Sequence, residues 1–213
     1  MDALTRPTRE PPCRVCGGRA KPGYSMCKSC HEVSMILGRP PVPVTPVAVV
    51  SRPSPLYRAL RQYKSGERTV AARQQARLGA LLETFFGRHR RCIAPDGLDL
   101  AVVVPSGQGG RPPPHPLACV VAATRTLPPL LDALGSGEVP ITHRRPSLRG
   151  YRVWVDVSGA RVLLVDDVYT SGAHLQSAAA ALTEAGAGEV RALVLGRYVR
   201  HPTPRPSCLH CRR

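Results

Sequence analysis

Apolar positions along the chain fall into short blocks of two kinds. From residue 67 to residue 88 no proline interrupts the chain, and Leu78, Leu81, Leu82, Phe85 and Phe86 fall at offsets 0, 3, 4, 7 and 8, which predicts a helix with one apolar face. LDLAVVVP (98–105) and ARVLLVDD (160–167) are nearly continuous apolar runs, the pattern of parallel strands covered on both faces. VRALVLG (190–196) predicts the last strand, and YRVWVDV (151–157) alternates enough for another. The β-branched run Val47 to Val50, inside a proline-studded segment, reads as an edge or first strand. HPLACVVAATRTLPPLLDAL (115–134) reads as a helix broken by its proline pair, and 172–186 holds Ala and Leu at helical spacing. Strands alternating with helices predict an α/β domain with a mainly parallel sheet flanked by helices, with ligands at the carboxyl ends of the strands.

Composition adds direction to this outline. The 213 residues carry 30 Lys+Arg against 14 Asp+Glu, a formal net charge of +16 that calls for an anionic partner. Residues 52–91 alone hold ten Lys/Arg and two Glu. Hydrophobic residues at 43% and charged residues at 21% are ordinary globular usage and exclude a globally disordered or fibrous chain. Aromatic residues at 4% are too few to predict a base-stacking platform. No stretch approaches the roughly 18 apolar residues of a membrane span, and MDALTRPTREPP has no apolar run to serve as a signal peptide. The expectation is a cytoplasmic protein without membrane insertion.

Eight cysteines in a reducing compartment point to metal ligation or burial rather than disulfides. Cys13 and Cys16 (CRVC) and Cys27 and Cys30 (CKSC) form two CxxC turns, with GGRAKPGYSM between them to return the chain. This spacing predicts a tetrahedral four-thiolate zinc site of the compact ribbon kind, against the alternatives of two disulfides or a redox CxxC. Four thiolates leave no open coordination position, so the zinc is structural. Cys208 and Cys211 make a third pair in the basic tail, either a half-site for a partner or second metal or a reduced tail without fixed structure. The chain thus divides into a zinc-ribbon module (1–42), the α/β domain (43–200) and a basic cysteine-containing tail (201–213).

The stretch Val162 to His174, VLLVDDVYTSGAH, carries the chemistry. A buried strand delivers Asp166 and Asp167 at its end, and a small polar turn then opens a helix whose free N–H groups attract anions. Thr170 and Ser171 add hydroxyl donors, and Gly172 lets the backbone approach a phosphate. Acids for a diol beside a site for a phosphate suggest a ribose phosphate.

This stretch resembles the phosphoribosyl pyrophosphate (PRPP) signature of type I phosphoribosyltransferases. Joined to an N-terminal four-cysteine ribbon, it resembles the ComF family of competence-associated, amidophosphoribosyltransferase-like proteins. Tyr57, Leu60, Tyr63, Lys64 and Gly66 are similar to that family's aromatic-Leu-Lys-Tyr-Lys-Gly element, and Val103, Val104 and Pro105 to its VPVP strand end. The resemblance implies that Asp166 and Asp167 accept from the ribose hydroxyls and serve catalysis. It also implies that Thr170, Ser171, Gly172, Ala173 and His174 wrap the 5′-phosphate, and that Mg²⁺ enters chiefly on the oxygens of PRPP itself. The resemblance further implies a pyrophosphate loop over Pro105 to Gly110, with Pro105, Ser106 and Gly107 as its candidate residues and Arg111 as a charge partner. Tyr169 stands where the pattern has a small aliphatic residue, His174 where it has Thr or Ser, and GGRPPPHPLA replaces an Arg-Gly-Phe-Asn stretch. Two functions follow. One is a phosphoribosyltransferase whose acceptor the sequence does not name; the other is a non-enzymatic DNA-uptake accessory protein that binds single-stranded DNA or a motor partner.

Overall fold

A computed structural model describes residues 12–105 and 114–200 of the chain. The first element, α1 (Lys28–Leu37), begins at Cys27 and ends on Gly38. Strand β1 (Val44–Val50) leads to α2 (Pro55–Gln62), which Ser54 caps by accepting the Tyr57 N–H at 3.2 Å. Proline in the first turn costs α2 nothing, because that N–H has no helical partner. Next come α3 (Arg68–Ile93), β2 (Leu100–Val103), α4 (Pro116–Ala122), β3 (Leu134–Ser136), β4 (Tyr151–Val153), β5 (Arg161–Tyr169), α5 (Ala173–Glu184) and β6 (Glu189–Tyr198). The main sheet has the order β1-β6-β5-β2 with all pairings parallel, while β3 and β4 form a separate antiparallel pair.

The continuous apolar runs are continuous because the sheet is covered twice. Leu163 and Val165 of β5 join Leu193 and Leu195 of β6 in a core with Leu78, Leu82, Phe85 and Phe86 of α3 and with Leu117 and Val120 of α4. Val162 and Leu164 point the other way, into a core with Leu175, Ala178 and Leu182 of α5. That second core also holds Cys13, Val15, Cys16 and Cys30, so the four-cysteine region packs directly on the domain. The apolar face expected on the long helix is α3, extended to Ile93.

Two expectations are corrected. The segment 115–134 is helical only over α4; beyond it, Pro128 and Pro129 lack the N–H a helix needs and run extended beside β2. There the Pro129 carbonyl accepts from the Ala101 N–H at 2.8 Å, and the Leu131 N–H returns to the Ala101 carbonyl. YRVWVDV is a strand only over Tyr151–Val153 and lies outside the parallel sheet, paired antiparallel with β3. Its alternation of buried and exposed residues suits a strand with one open face. Trp154 leaves the strand half exposed, donating its indole N–H to the Asp132 carbonyl at 2.7 Å.

Candidate functional site

The diacid lies on β5 itself, which continues three residues past Asp166 to Tyr169. Asp166 stands in register with Val194 of β6, and its Oδ1 accepts the Asp167 N–H at 2.8 Å. Asp167 is held more tightly. Its Oδ2 accepts from the Lys64 ammonium at 2.6 Å and from the Tyr63 hydroxyl at 2.7 Å, and its Oδ1 accepts the Val168 N–H at 2.7 Å. Burial, and then the charge of Asp167, pushes Asp166 well above the usual carboxylate range. Burial also acts upward on Asp167, but Lys64 and the hydrogen bonds from Lys64 and Tyr63 outweigh it and bring Asp167 below its ordinary value.

The chain then turns through Thr170, Ser171 and Gly172 into α5. Gly172 has φ +88°, a conformation open to glycine, and a Cβ there would stand 2.2 Å from the Tyr169 hydroxyl. Its lack of a side chain therefore serves the packing of Tyr169 as well as the turn. The Ser171 hydroxyl donates to the His143 carbonyl, tying the turn to the segment that precedes β4. The Ala173 N–H reaches back to Ser171 Oγ at 3.4 Å. His174 Nδ1 lies 3.0 Å from the Tyr151 hydroxyl, which donates to the Pro105 carbonyl at 3.2 Å. Burial, and next the charge of His143, lowers His174 from its ordinary value, leaving the ring neutral near pH 7.

These groups surround one cavity of about 140 Å³, lined by Asp166, Asp167, Thr170, Ser171, Gly172, Ala173 and His174 together with Lys64, Pro105, His115 and His143. It sits at the carboxyl ends of β2 and β5 and at the N-terminus of α5, where the helix dipole favours an anion. A wider cavity of about 690 Å³ opens beside it, sharing Lys64, His143, Asp167 and Thr170 and bounded outside by Arg52, Tyr57, Arg61 and Tyr198. The structure thus brings the predicted phosphate-loop residues and both acids together with Pro105. Ser106, Gly107 and Arg111 lie outside the described residues, as do Cys208 and Cys211. Sequence reasoning did not assign Tyr63, Lys64, His143 or Tyr151 to the site. For the first two a signal existed, since a Tyr-Lys pair stands within the quoted element at 57–66; the other two enter through tertiary packing that no local pattern encodes.

Behind the turn stands the cysteine cluster. The Sγ atoms of Cys13, Cys16, Cys27 and Cys30 all lie within 4.8 Å of one another. The Cys16 to Cys27 separation of 3.8 Å is what zinc–sulfur bonds of about 2.3 Å at tetrahedral angles give. The first knuckle closes through Cys13 N–H to Gly18 O at 2.6 Å and Gly17 N–H to Cys13 O at 2.9 Å, with Gly17 at φ +66°. The second knuckle is the start of α1, where Cys27 precedes the helix and Cys30 lies in its first turn. Hydrogen bonding among the thiols, led by the Cys13 to Cys16 contact, lowers Cys13 and raises Cys16. Such crowding of four thiols suits a divalent cation that replaces their protons.

No family model matches the chain, and no curated protein matches it. Solved structures do. A hypoxanthine-guanine phosphoribosyltransferase from Bacillus anthracis is similar at 13% identity over 61% of this chain and 73% of its own, with a TM-score of 0.36. A purine phosphoribosyltransferase from Pyrococcus horikoshii is similar at 17% identity over 62% and 91%, with a TM-score of 0.34. An allosteric regulatory enzyme of purine biosynthesis is similar at 19% identity over 56% of this chain, with a TM-score of 0.34, and the match spans only 25% of that enzyme. Likenesses this distant carry nothing about activity, which has to come from the residues of the site.

Proposed function

We propose that this chain binds PRPP with Mg²⁺ and transfers its phosphoribosyl group to an acceptor, releasing pyrophosphate. The observation that carries this reading is the closure of Asp166, Asp167 and the 170–174 turn around one cavity at the head of α5. In that cavity the turn and the helix N-terminus hold the 5′-phosphate, and the acids receive the ribose hydroxyls. Lys64, now on Asp167, lines the same cavity. Magnesium would neutralise the pyrophosphate while staying largely bound to ligand and water oxygens. The residues would contribute position and electrostatics, stabilising positive charge at the ribosyl carbon as pyrophosphate leaves. The wider cavity, with Arg52, Arg61 and Tyr57 at its margin, is the place for the acceptor. The four thiols hold zinc as a structural ion, a role suited to the cytoplasm.

The reaction is tested by following PRPP consumption with a panel of nucleobases, amine donors and no acceptor, in the wild type and in Asp167→Asn. Acceptor-dependent pyrophosphate release that Asp167→Asn removes supports transfer. Release that is equal in both proteins, or absent with every acceptor, contradicts it.

A second reading has its own observation. Nine of the ten basic residues between 52 and 91 are exposed arginines, and the tenth is Lys64. Exposed positive charge of that density suits single-stranded DNA, as a DNA-uptake accessory protein would need. Binding with a steep salt slope that Asp167→Asn leaves unchanged would support it, and a flat salt dependence would remove it.

A further inference from the structure

Tyr169, the last residue of β5, is one that the resemblance does not ask for, and its surroundings give it a task. Its side chain is buried in the core that also holds Cys13, Cys16 and Cys30, and its hydroxyl lies 3.4 Å from Cys30 Sγ. Opposite it in the β5–β6 register stands Arg197. The Arg197 guanidinium stacks on the Tyr169 ring, 5.2 Å from its centroid. Arg197 Nη1 donates to the carbonyls of Tyr169 at 3.1 Å and Thr170 at 3.2 Å, the backbone from which the phosphate turn springs. The same guanidinium lies beside the Cys16 thiol. Gly18 makes room for this contact, since a Cβ there would meet Arg197 Nη2 at 3.0 Å and Cys16 Sγ at 3.3 Å.

We infer that Tyr169 and Arg197 are positioning residues that couple the four-cysteine cluster to the phosphate-binding turn, so that metal in the cluster and PRPP in the cavity strengthen each other's binding. This rests on the PRPP and zinc readings given above. Metal-bound thiolates are good hydrogen-bond acceptors, and a tyrosine hydroxyl and a guanidinium are the donors that commonly orient such ligands. Here the donors come from β5, which leads into the turn, and from β6 beside it. A filled cluster fixes Cys16 and Cys30; these hold Arg197 and Tyr169; and these fix the 169–172 backbone. Because Gly172 packs against the Tyr169 hydroxyl, a shift of that ring reaches the head of α5 directly. Linkage then requires the effect to be reciprocal: whatever factor metal adds to PRPP affinity, PRPP adds to metal affinity.

The experiment compares wild type, Tyr169→Phe, Arg197→Met and Gly18→Ala, each loaded with one zinc per chain, and wild type stripped by a chelator. Two quantities are read: the Mg²⁺-PRPP dissociation constant, and amide hydrogen exchange over 169–173. Expected are full zinc content in the variants, faster exchange across the turn, and PRPP affinity weakened about 5- to 150-fold, the usual span of coupling between sites. Stripping wild type should produce the same two changes, and PRPP should slow zinc loss to the chelator. Turn exchange that is the same in wild type with and without zinc, and in the loaded variants, overturns the inference. If wild type binds no PRPP, the proposed function fails, and the exchange measurement still decides the coupling. If Arg197→Met does not fold, Tyr169→Phe and Gly18→Ala, which keep the guanidinium, decide it.

Discussion

Asp166 and Asp167 are adjacent, yet their surroundings drive them apart. Burial leaves Asp166 with a raised affinity for its proton, while Lys64 and Tyr63 keep Asp167 ionised. A carboxyl whose folded value is raised weakens the fold as pH climbs above the unfolded value, since the unfolded chain gives up that proton more readily. Asp166→Asn should therefore raise the thermal midpoint of the unliganded protein at pH 7 while lowering PRPP affinity, the trade expected of a functional carboxylate. A variant that melts lower and binds normally would assign Asp166 a purely structural role. His174 gives a prediction of the opposite slope. Its folded value is lowered, so the stability of the neutral ring is intact above about pH 6.5 and declines as pH falls through the window beneath it. Denaturant midpoints at pH 7.5 and 5.5 should differ less in His174→Gln than in wild type; equal differences would refute the burial effect.

Among the elements, β5, α5 and the turn between them were the most legible, because each needs its residues locally. The run VLLV is apolar at every position since both faces of β5 are covered, and Gly172 is required by its φ of +88°. Gly172→Ala should cost about 2 kcal/mol or more, from the left-handed backbone and the approach to Tyr169 together, read as a lowered denaturation midpoint. A neutral effect would mean that the turn adopts another conformation. What the sequence pattern did not reveal was tertiary. Nothing in PPLLDAL announces that Pro129 lies beside β2, and nothing in YRVWVDV announces its pairing with β3. Lys64 and Tyr63 reach Asp167 from 104 residues or so away, a distance over which no periodicity informs. The spacing of the cysteines did predict the cluster, because a CxxC knuckle is a local structure that needs only one partner knuckle.

At the scale of the whole molecule, the cysteine cluster and α5, whose head borders the cavity, share one core against the parallel sheet. Cys27→Ser should lower zinc below one per chain and, since the cluster packs on that core, lower the melting temperature as well. A mutant still fully loaded would refute the four-cysteine assignment. The net charge of +16 acts over the same scale: Lys64 lines the cavity that holds both acids, Arg52 and Arg61 line the wider cavity beside it, and a positive surrounding potential favours an anionic ligand. Calorimetric titration of Mg²⁺-PRPP into the zinc-loaded chain tests the account most directly. It predicts saturable binding near one ligand per chain, lost in Asp167→Asn. No heat of binding at millimolar ligand, or binding unchanged in Asp167→Asn, would contradict it.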